Sequence, residues 1–179
     1  MTQVGINYAQ ALYDLAKQEN LTDRILQQLQ ILDDSFAQEP AFVRLLSAPN
    51  IAKQERCAVI DKSFRDQVHP YVLNFLKILT EKGYARYFSD CRKAYEDQYN
   101  RENGILPVCA VTAVALNDSQ SRKLTEKLHA ITGKTVTLTN RVDPACIGGV
   151  RLTYDGNQVD GTVKHRLDTI GNLLKNTVL

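Results

Sequence analysis

The spacing of apolar residues changes once along the chain, at Gly104. A chain written in two periods folds as two kinds of layer rather than one. Up to about Asn103 the apolar residues recur at helical intervals. The spacing predicts a first helix from about Val4 to Gln18, and a second from just after Leu21 to about Gln38, with Thr22 or Asp23 as its N-cap. A short third helix opens at Pro40 and holds Phe42, Leu45 and Leu46, ending before Pro49. A fourth covers about Lys53 to Phe64, and a fifth about Pro70 to Lys82, with Gly83 as its stop. A sixth runs from about Tyr87 to Arg101 and closes at Asn103-Gly104. The links are short, so the helices are expected to form a compact antiparallel bundle.

After Gly104 strand patterns enter. Leu106 to Ala115 reads as a strand and Asp118 to Ile131 as a helix with the stripe Leu124, Leu128 and Ile131, closed by Gly133. Thr135 to Arg141 is a second strand, followed by a turn at Val142-Asp143-Pro144. Gly148-Gly149 leads into a strand from Val150 to Tyr154, and Asp155-Gly156 turns it back through Gln158 to Asp160. A last helix, capped by Asp160 or Thr162, carries Val163, Leu167, Ile170 and Leu174. The expected fold class is α+β: an N-terminal six-helix bundle over residues 1–104 followed by a small C-terminal α/β module over 105–179.

Charge and chemistry exclude most function classes. The first part has 13 Lys and Arg against 14 Asp and Glu, and the second 9 against 6. Neither is a polybasic arm, so no nucleic-acid partner is expected. Cys57, Cys91, Cys109 and Cys146 form no CxxC pair and the three histidines are scattered, so no metal is expected. The cysteines read as small buried thiols. Gly133-Lys134-Thr135 lacks the earlier glycine of a phosphate loop and joins helix to strand, the reverse of that loop's order. Gly148-Gly149 reads either as a phosphate-cradling turn or as a tight turn or bulge feeding a strand. Asp33 and Asp34 read as solvated surface. No catalytic residue and no cofactor is expected. The opening MTQVGINYAQ lacks a signal-peptide pattern, and no apolar run approaches the roughly 20 residues of a membrane span, so membrane association is expected only through partners.

Two helices are apolar over more than one core requires. The second helix gathers Ile25, Leu26, Leu29, Leu32, Phe36 and Ala37 within roughly 140°, leaving out Ile31. The sixth is similar, with Phe88, Cys91, Ala94, Tyr95 and Tyr99. The first joins Val4, Tyr8, Ala11, Leu12 and Leu15 to Ile6, Ala9, Tyr13 and Ala16 over roughly 220°. The fifth does the same with Tyr71, Val72, Leu73, Phe75, Leu76, Ile78 and Leu79. Either both helices stand at the centre of the bundle, or each has a second face bordering a groove for an amphipathic helix of another protein.

Tyr8-Ala9-Gln10-Ala11-Leu12-Tyr13-Asp14-Leu15-Ala16 resembles the opening signature of the ATP synthase delta subunit family. Asn74-Phe75-Leu76 through Glu81-Lys82-Gly83 is similar to its fifth helix, and Val111-Thr112-Ala113 with Leu116 to its first strand. Val142-Asp143-Pro144, Ile147-Gly148-Gly149-Val150, Asp160-Gly161-Thr162-Val163 and Arg166-Leu167 resemble its C-terminal signature in order and spacing. Tyr84-Ala85-Arg86 departs from the family, which often has a basic residue directly after the glycine. The resemblance implies a non-catalytic stator subunit of a bacterial F-type ATP synthase, peripheral on the cytoplasmic face of the cell membrane. Its helical domain would bind the N-terminal helix of an alpha subunit between helices one and five, and its C-terminal module the C-terminal ends of the b subunits. The residues implied at the alpha-subunit groove are Tyr8, Ala9, Ala11, Leu12, Leu15, Ala16, Val72, Phe75, Leu76 and Leu79. The other reading is a free-standing helical adaptor for amphipathic helices.

Limited proteolysis of the folded protein is expected to cut first between Arg101 and Leu106 and to leave a helical fragment that still folds. Loss of both halves together after one nick there would contradict the two-period reading.

Overall fold

The computed structural model describes residues 2–165. It divides into two compact units, one ending at Tyr99 and the other starting at Asn100. The α+β order expected from the sequence is the one observed. Six helices come first: α1 (Gln3–Gln18), α2 (Thr22–Gln38), α3 (Pro40–Leu46), α4 (Lys53–Phe64), α5 (Pro70–Glu81) and α6 (Phe88–Glu102). They are followed by β1 (Ile105–Thr112), α7 (Asp118–Thr132), β2 (Thr135–Val142), β3 (Val150–Tyr154) and β4 (Asn157–Asp160).

The helical unit is built on aromatic and aliphatic side chains at helical spacing. Phe36 of α2 stacks on Phe42 of α3 at 5.7 Å and meets Phe88 of α6 edge-on at 5.0 Å. Tyr13 of α1 meets Tyr95 of α6 at 5.1 Å, and the Tyr95 hydroxyl donates to the Thr22 carbonyl. Such edge-to-face pairs orient helices as well as filling space. On α2, Ile25, Leu26, Leu29, Leu32 and Phe36 are buried and Ile31 is exposed, as the arc predicts; Ala37, at the edge of the arc, is exposed. Asp33 departs from the expectation of a solvated pair. It accepts from Arg92 Nε at 2.7 Å and from Ser89 Oγ at 3.3 Å, tying α2 to α6, while Asp34 stays exposed. The expected cap of α2 also shifts. Thr22 is already helical, and Leu21 stands at the cap position without a side-chain hydrogen bond. Leu21 N donates to Ala16 O at 2.8 Å and its side chain packs on the core, so burial rather than a polar cap sets this corner.

In the second unit the sheet order is β2-β1-β3-β4. β1 and β2 run parallel around α7, and β3 is antiparallel to both β1 and β4. β1 stops at Thr112, three residues short of the expected end. Thr112 O accepts from Asp143 N, and Thr112 Oγ1 donates to Val114 O, which turns the chain off the sheet. α7 begins with a reciprocal capping box between Asn117 and Gln120 and ends on Gly133 at φ 67°, so Gly133 is a helix stop. No residue of α7 is fully buried: Leu124 and Leu128 are half-buried, and Ile131, expected on the buried stripe, is 81% exposed beside the helix end. The hairpin turn has both central residues at positive φ, Asp155 at 46° and Gly156 at 76°. Of the cysteines, Cys91 and Cys146 are buried as expected, whereas Cys57 and Cys109 are only half-buried; all four are free. The last helix begins where Thr162 Oγ1 accepts from His165 N, and Thr162 rather than Asp160 caps it. Leu167, Ile170 and Leu174 lie outside the described residues.

The two glycine-bearing motifs of this unit interlock through their backbones. Gly161 N donates to Val150 O and Val163 N to Gly148 O, each at 3.0 Å. Gly149 sits at φ 81°, and a Cβ there would lie 2.4 Å from Gly161 O. Gly148-Gly149 is therefore the tight turn feeding β3, with the Gly161 backbone closed against it. Asp160 Oδ1 accepts from both the amide and the hydroxyl of Thr162, which hold its carboxyl below the usual range. Gly149→Ala is expected to destabilise this unit by about 2–4 kcal/mol, combining left-handed strain with a backbone clash. Thermal unfolding followed by circular dichroism checks it.

Candidate partner-docking face of the helical unit

The rotation of α1 about its own axis decides which of its apolar residues are available. Gly5 faces α6, where a Cβ would stand 3.0 Å from Asp90 Cβ and 3.2 Å from the Asp90 carbonyl carbon. The missing side chain lets the two helices approach, and the N-terminus of α1 is held in that position. Thr2 Oγ1 accepts from Gly5 N at 3.3 Å, and Thr2 N donates to Asp90 Oδ2 at 3.0 Å. Hydrogen bonds from Thr2 are the main cause that lowers the Asp90 carboxyl from its ordinary value. Gly5, Ala9, Leu12, Tyr13 and Ala16 then form the buried face of α1.

A second apolar stripe is left over. Val4, Tyr8, Ala11 and Leu15 fall within roughly 60° of one another, about 120° from the centre of the buried face. Val4 and Tyr8 are half-buried, Ala11 is exposed, and Leu15 is 47% exposed. Tyr8 meets Tyr84, just beyond α5, edge-on at 6.0 Å. Tyr84 in turn lies 6.1 Å from Tyr87, over which the Arg86 guanidinium sits at 5.1 Å. Tyrosine and arginine are side chains enriched where partners bind. α5 uses its apolar surface differently. Val72, Leu73, Phe75, Leu76, Leu79 and Thr80 are buried, leaving Tyr71 half-buried and Ile78 exposed along one edge.

Seven of the ten residues that the sequence singled out, Ala9, Leu12, Ala16, Val72, Phe75, Leu76 and Leu79, lie in the core of the bundle. Tyr8, Ala11 and Leu15 reach the surface. The broad arc of α5 is thus mostly core, whereas that of α1 divides into a core face and an accessible stripe. Tyr84, Arg86 and Tyr87 were not reached by reasoning from periodicity, because they lie in a short connection whose place beside Tyr8 is set by the packing of α1 and α5.

The thiols of this unit are poorly disposed to nucleophilic chemistry. Burial pushes Cys91 up to about 12, with the Asp90 charge adding to it. Cys57, in a cleft with Lys53, Asp61, Glu81 and Lys82, is raised by burial and then by the Glu81 carboxylate. Among the described residues no three His, Cys, Asp or Glu side chains converge as a metal site would require, and no helix is long and apolar enough to cross a membrane.

A family model described as ATP synthase delta (OSCP) subunit matches residues 4–174. The ATP synthase subunit delta of Clostridioides difficile (strain 630) is 31% identical over 176 residues, covering 98% of this chain and 97% of that one. The subunit of Alkaliphilus oremlandii (strain OhILAs) is 34% identical over 167 residues, 93% of each chain. Among solved structures, a chain of the Toxoplasma gondii mitochondrial ATP synthase hexamer has the same fold, with a TM-score of 0.76 over 97% of this chain and 98% of that one, at 20% identity. The helical unit, the sheet unit and these whole-length matches define a structural, non-catalytic subunit of an ATP synthase. The chain belongs to the ATP synthase delta (OSCP) subunit family, and its place in the complex is in the stator, with the peripheral stalk.

Asp placed at the two neighbouring leucines of α1 separates core from surface. Leu12→Asp is expected to cost about 4 kcal/mol or more, because it buries an unpaired carboxylate. Leu15→Asp should change stability by no more than about 0.5 kcal/mol. Urea unfolding of both variants measures the difference; equal losses would mean that Leu15 belongs to the core.

Proposed function

We propose that the helical unit fastens the protein to the catalytic head by receiving the N-terminal helix of an alpha subunit along α1. The observation that carries this is the stripe Val4, Tyr8, Ala11 and Leu15, on which Ala11 and Leu15 are exposed and Val4 and Tyr8 half-buried. An amphipathic helix laid there would cover Leu15 and Ala11, with Tyr8 and Tyr84 at one end. Small Ala11 permits close approach, while Ala9, Leu12 and Ala16 with Val72, Phe75, Leu76 and Leu79 hold α1 and α5 at their spacing beneath. The second unit receives the C-terminal ends of the b subunits. The protein works as a two-handed connector on the cytoplasmic side of the membrane, resisting the torque that the rotating shaft applies to the head. No bond is made or broken, so the task is met by affinity and linkage. Each contact raises the effective concentration of the other, and modest interfaces add up to a firm joint.

Leu15→Asp should weaken binding of an alpha-subunit N-terminal peptide about tenfold or more, by placing a carboxylate in an apolar contact. Calorimetric titration reads this, and unchanged affinity would remove the α1 stripe from the interface. Cutting the chain after Gly104 should leave head binding with the N-terminal piece and abolish recruitment of b. Membranes rebuilt with that piece should hydrolyse ATP yet pump protons poorly. Full pumping with the fragment would overturn the connector.

A further inference from the structure

Between Leu46, at the end of α3, and Ile60 in α4, one side chain is buried, and it is an arginine. Arg56 is 6% exposed, while every other residue of 47–59 is half-buried or exposed. Ile51 and Val59 are half-buried but take no part in the core of the helical unit. A stretch with so little apolar burial has little beyond its own helix turns to hold it down.

Arg56 closes this stretch on itself. From near the start of α4 its Nη1 donates to Leu46 O at 2.8 Å, at the end of α3. The clasp is incomplete. Arg56 Nε and Ser47 Oγ are both buried without a protein partner, and among the described residues no carboxylate pairs with the guanidinium. Lifting the stretch lets water reach both groups, which offsets the loss of the one bond. A cleft of about 550 Å³, lined by Lys53, Gln54, Cys57, Asp61, Glu81 and Lys82, already separates the start of α4 from the end of α5. Across it Cys57 Sγ donates only weakly to Glu81 Oε1, at 3.9 Å.

The anchoring changes at Ile60. That side chain is fully buried, Asp61 Oδ1 accepts from Lys77 Nζ of α5 at 2.6 Å, and Phe64 meets Phe36 and Phe42 edge-on at 6.2 and 5.7 Å. A firmly held end beside a loosely clasped one makes a hinge and a latch. We infer that residues 47–59 form a flap, latched by Arg56 and hinged at Ile60 and Phe64, which lifts off while the rest of the helical unit stays folded. Opening widens the cleft over the end of α5 and leaves the α1 stripe as it is, because no residue of α1 takes part in the clasp. The flap goes beyond the docking proposed above and does not depend on it.

Hydrogen exchange of the full chain in a series of low urea concentrations tests this. Amides 56–59 should exchange about a hundredfold or more faster than amides 75–79 in α5, and their rate should barely change with urea, since lifting exposes little new surface. Arg56→Ala should speed exchange at 56–59 about tenfold or more. Leu26→Ala, which opens a cavity on the buried face of α2, should speed 75–79 and leave 56–59 unchanged. If 56–59 in the parent chain exchange with the rate and urea dependence of 75–79, or if Leu26→Ala speeds both sets alike, the flap is overturned. Unchanged exchange at 56–59 in Arg56→Ala overturns the latch and the inference with it. The urea series on the parent chain decides between flap and rigid bundle even where a variant fails to fold.

Discussion

The contact between α1 and α6 at Gly5 is the constraint on which the rest of the helical unit depends. A Cβ at position 5 would stand 3.0 Å from Asp90 Cβ, closer than an ordinary contact, so the absence of a side chain lets the helices lie this near. Thr2 fixes the end of α1 by capping Gly5 and by donating to Asp90. With axis and rotation both held, Ala9, Leu12, Tyr13 and Ala16 must point inward, and Tyr13 can reach Tyr95. The outward turn of Val4, Tyr8, Ala11 and Leu15 follows from the same rotation. Core packing and the accessible stripe are two faces of one geometric choice.

The sheet unit rests on a different device. Among its described residues few side chains beyond β1 are fully buried, and it gains order from backbone interlocking. Gly148-Gly149-Val150 and Asp160-Gly161-Thr162 close on each other through two amide–carbonyl bonds, with Gly149 too near Gly161 to carry a side chain. Hydrogen-bonded backbone and glycine turns can specify a small module where hydrophobic volume is limited. The same loops end in Ile147, so the segment that locks the unit is also the one that displays an aliphatic side chain to the outside.

In both units the ionisable side chains serve structure. Burial keeps the Cys91 thiol protonated, and Asp33, Asp90 and Asp160 serve as acceptors that tie elements together. For a stator component this is the expected economy: charge and apolar area fix geometry.

Much of this was legible in the residues themselves. Helical spacing placed α3, α4 and α5 closely, because Pro40, Pro70 and Gly83 mark ends through local backbone preferences alone. The hairpin at Asp155-Gly156 and the stop at Gly133 were equally local, since only certain residues tolerate positive φ. The apolar arcs of α1 and α5 were also visible, as counts of side chains around a cylinder. Their division into core and surface was not. Tyr8 and Leu12 sit one turn apart on the same helix and are apolar alike, and Leu12 became core only because Gly5 lets α1 roll against α6. Ile131 and Asp33 went the other way from expectation for the same reason: helix period records which residues share a face, while the neighbour that covers it is a long-range contact. Ile147 is the extreme case. Its side chain reads as core material, and only the closing of two distant glycine turns on each other sets it in a left-handed turn facing out.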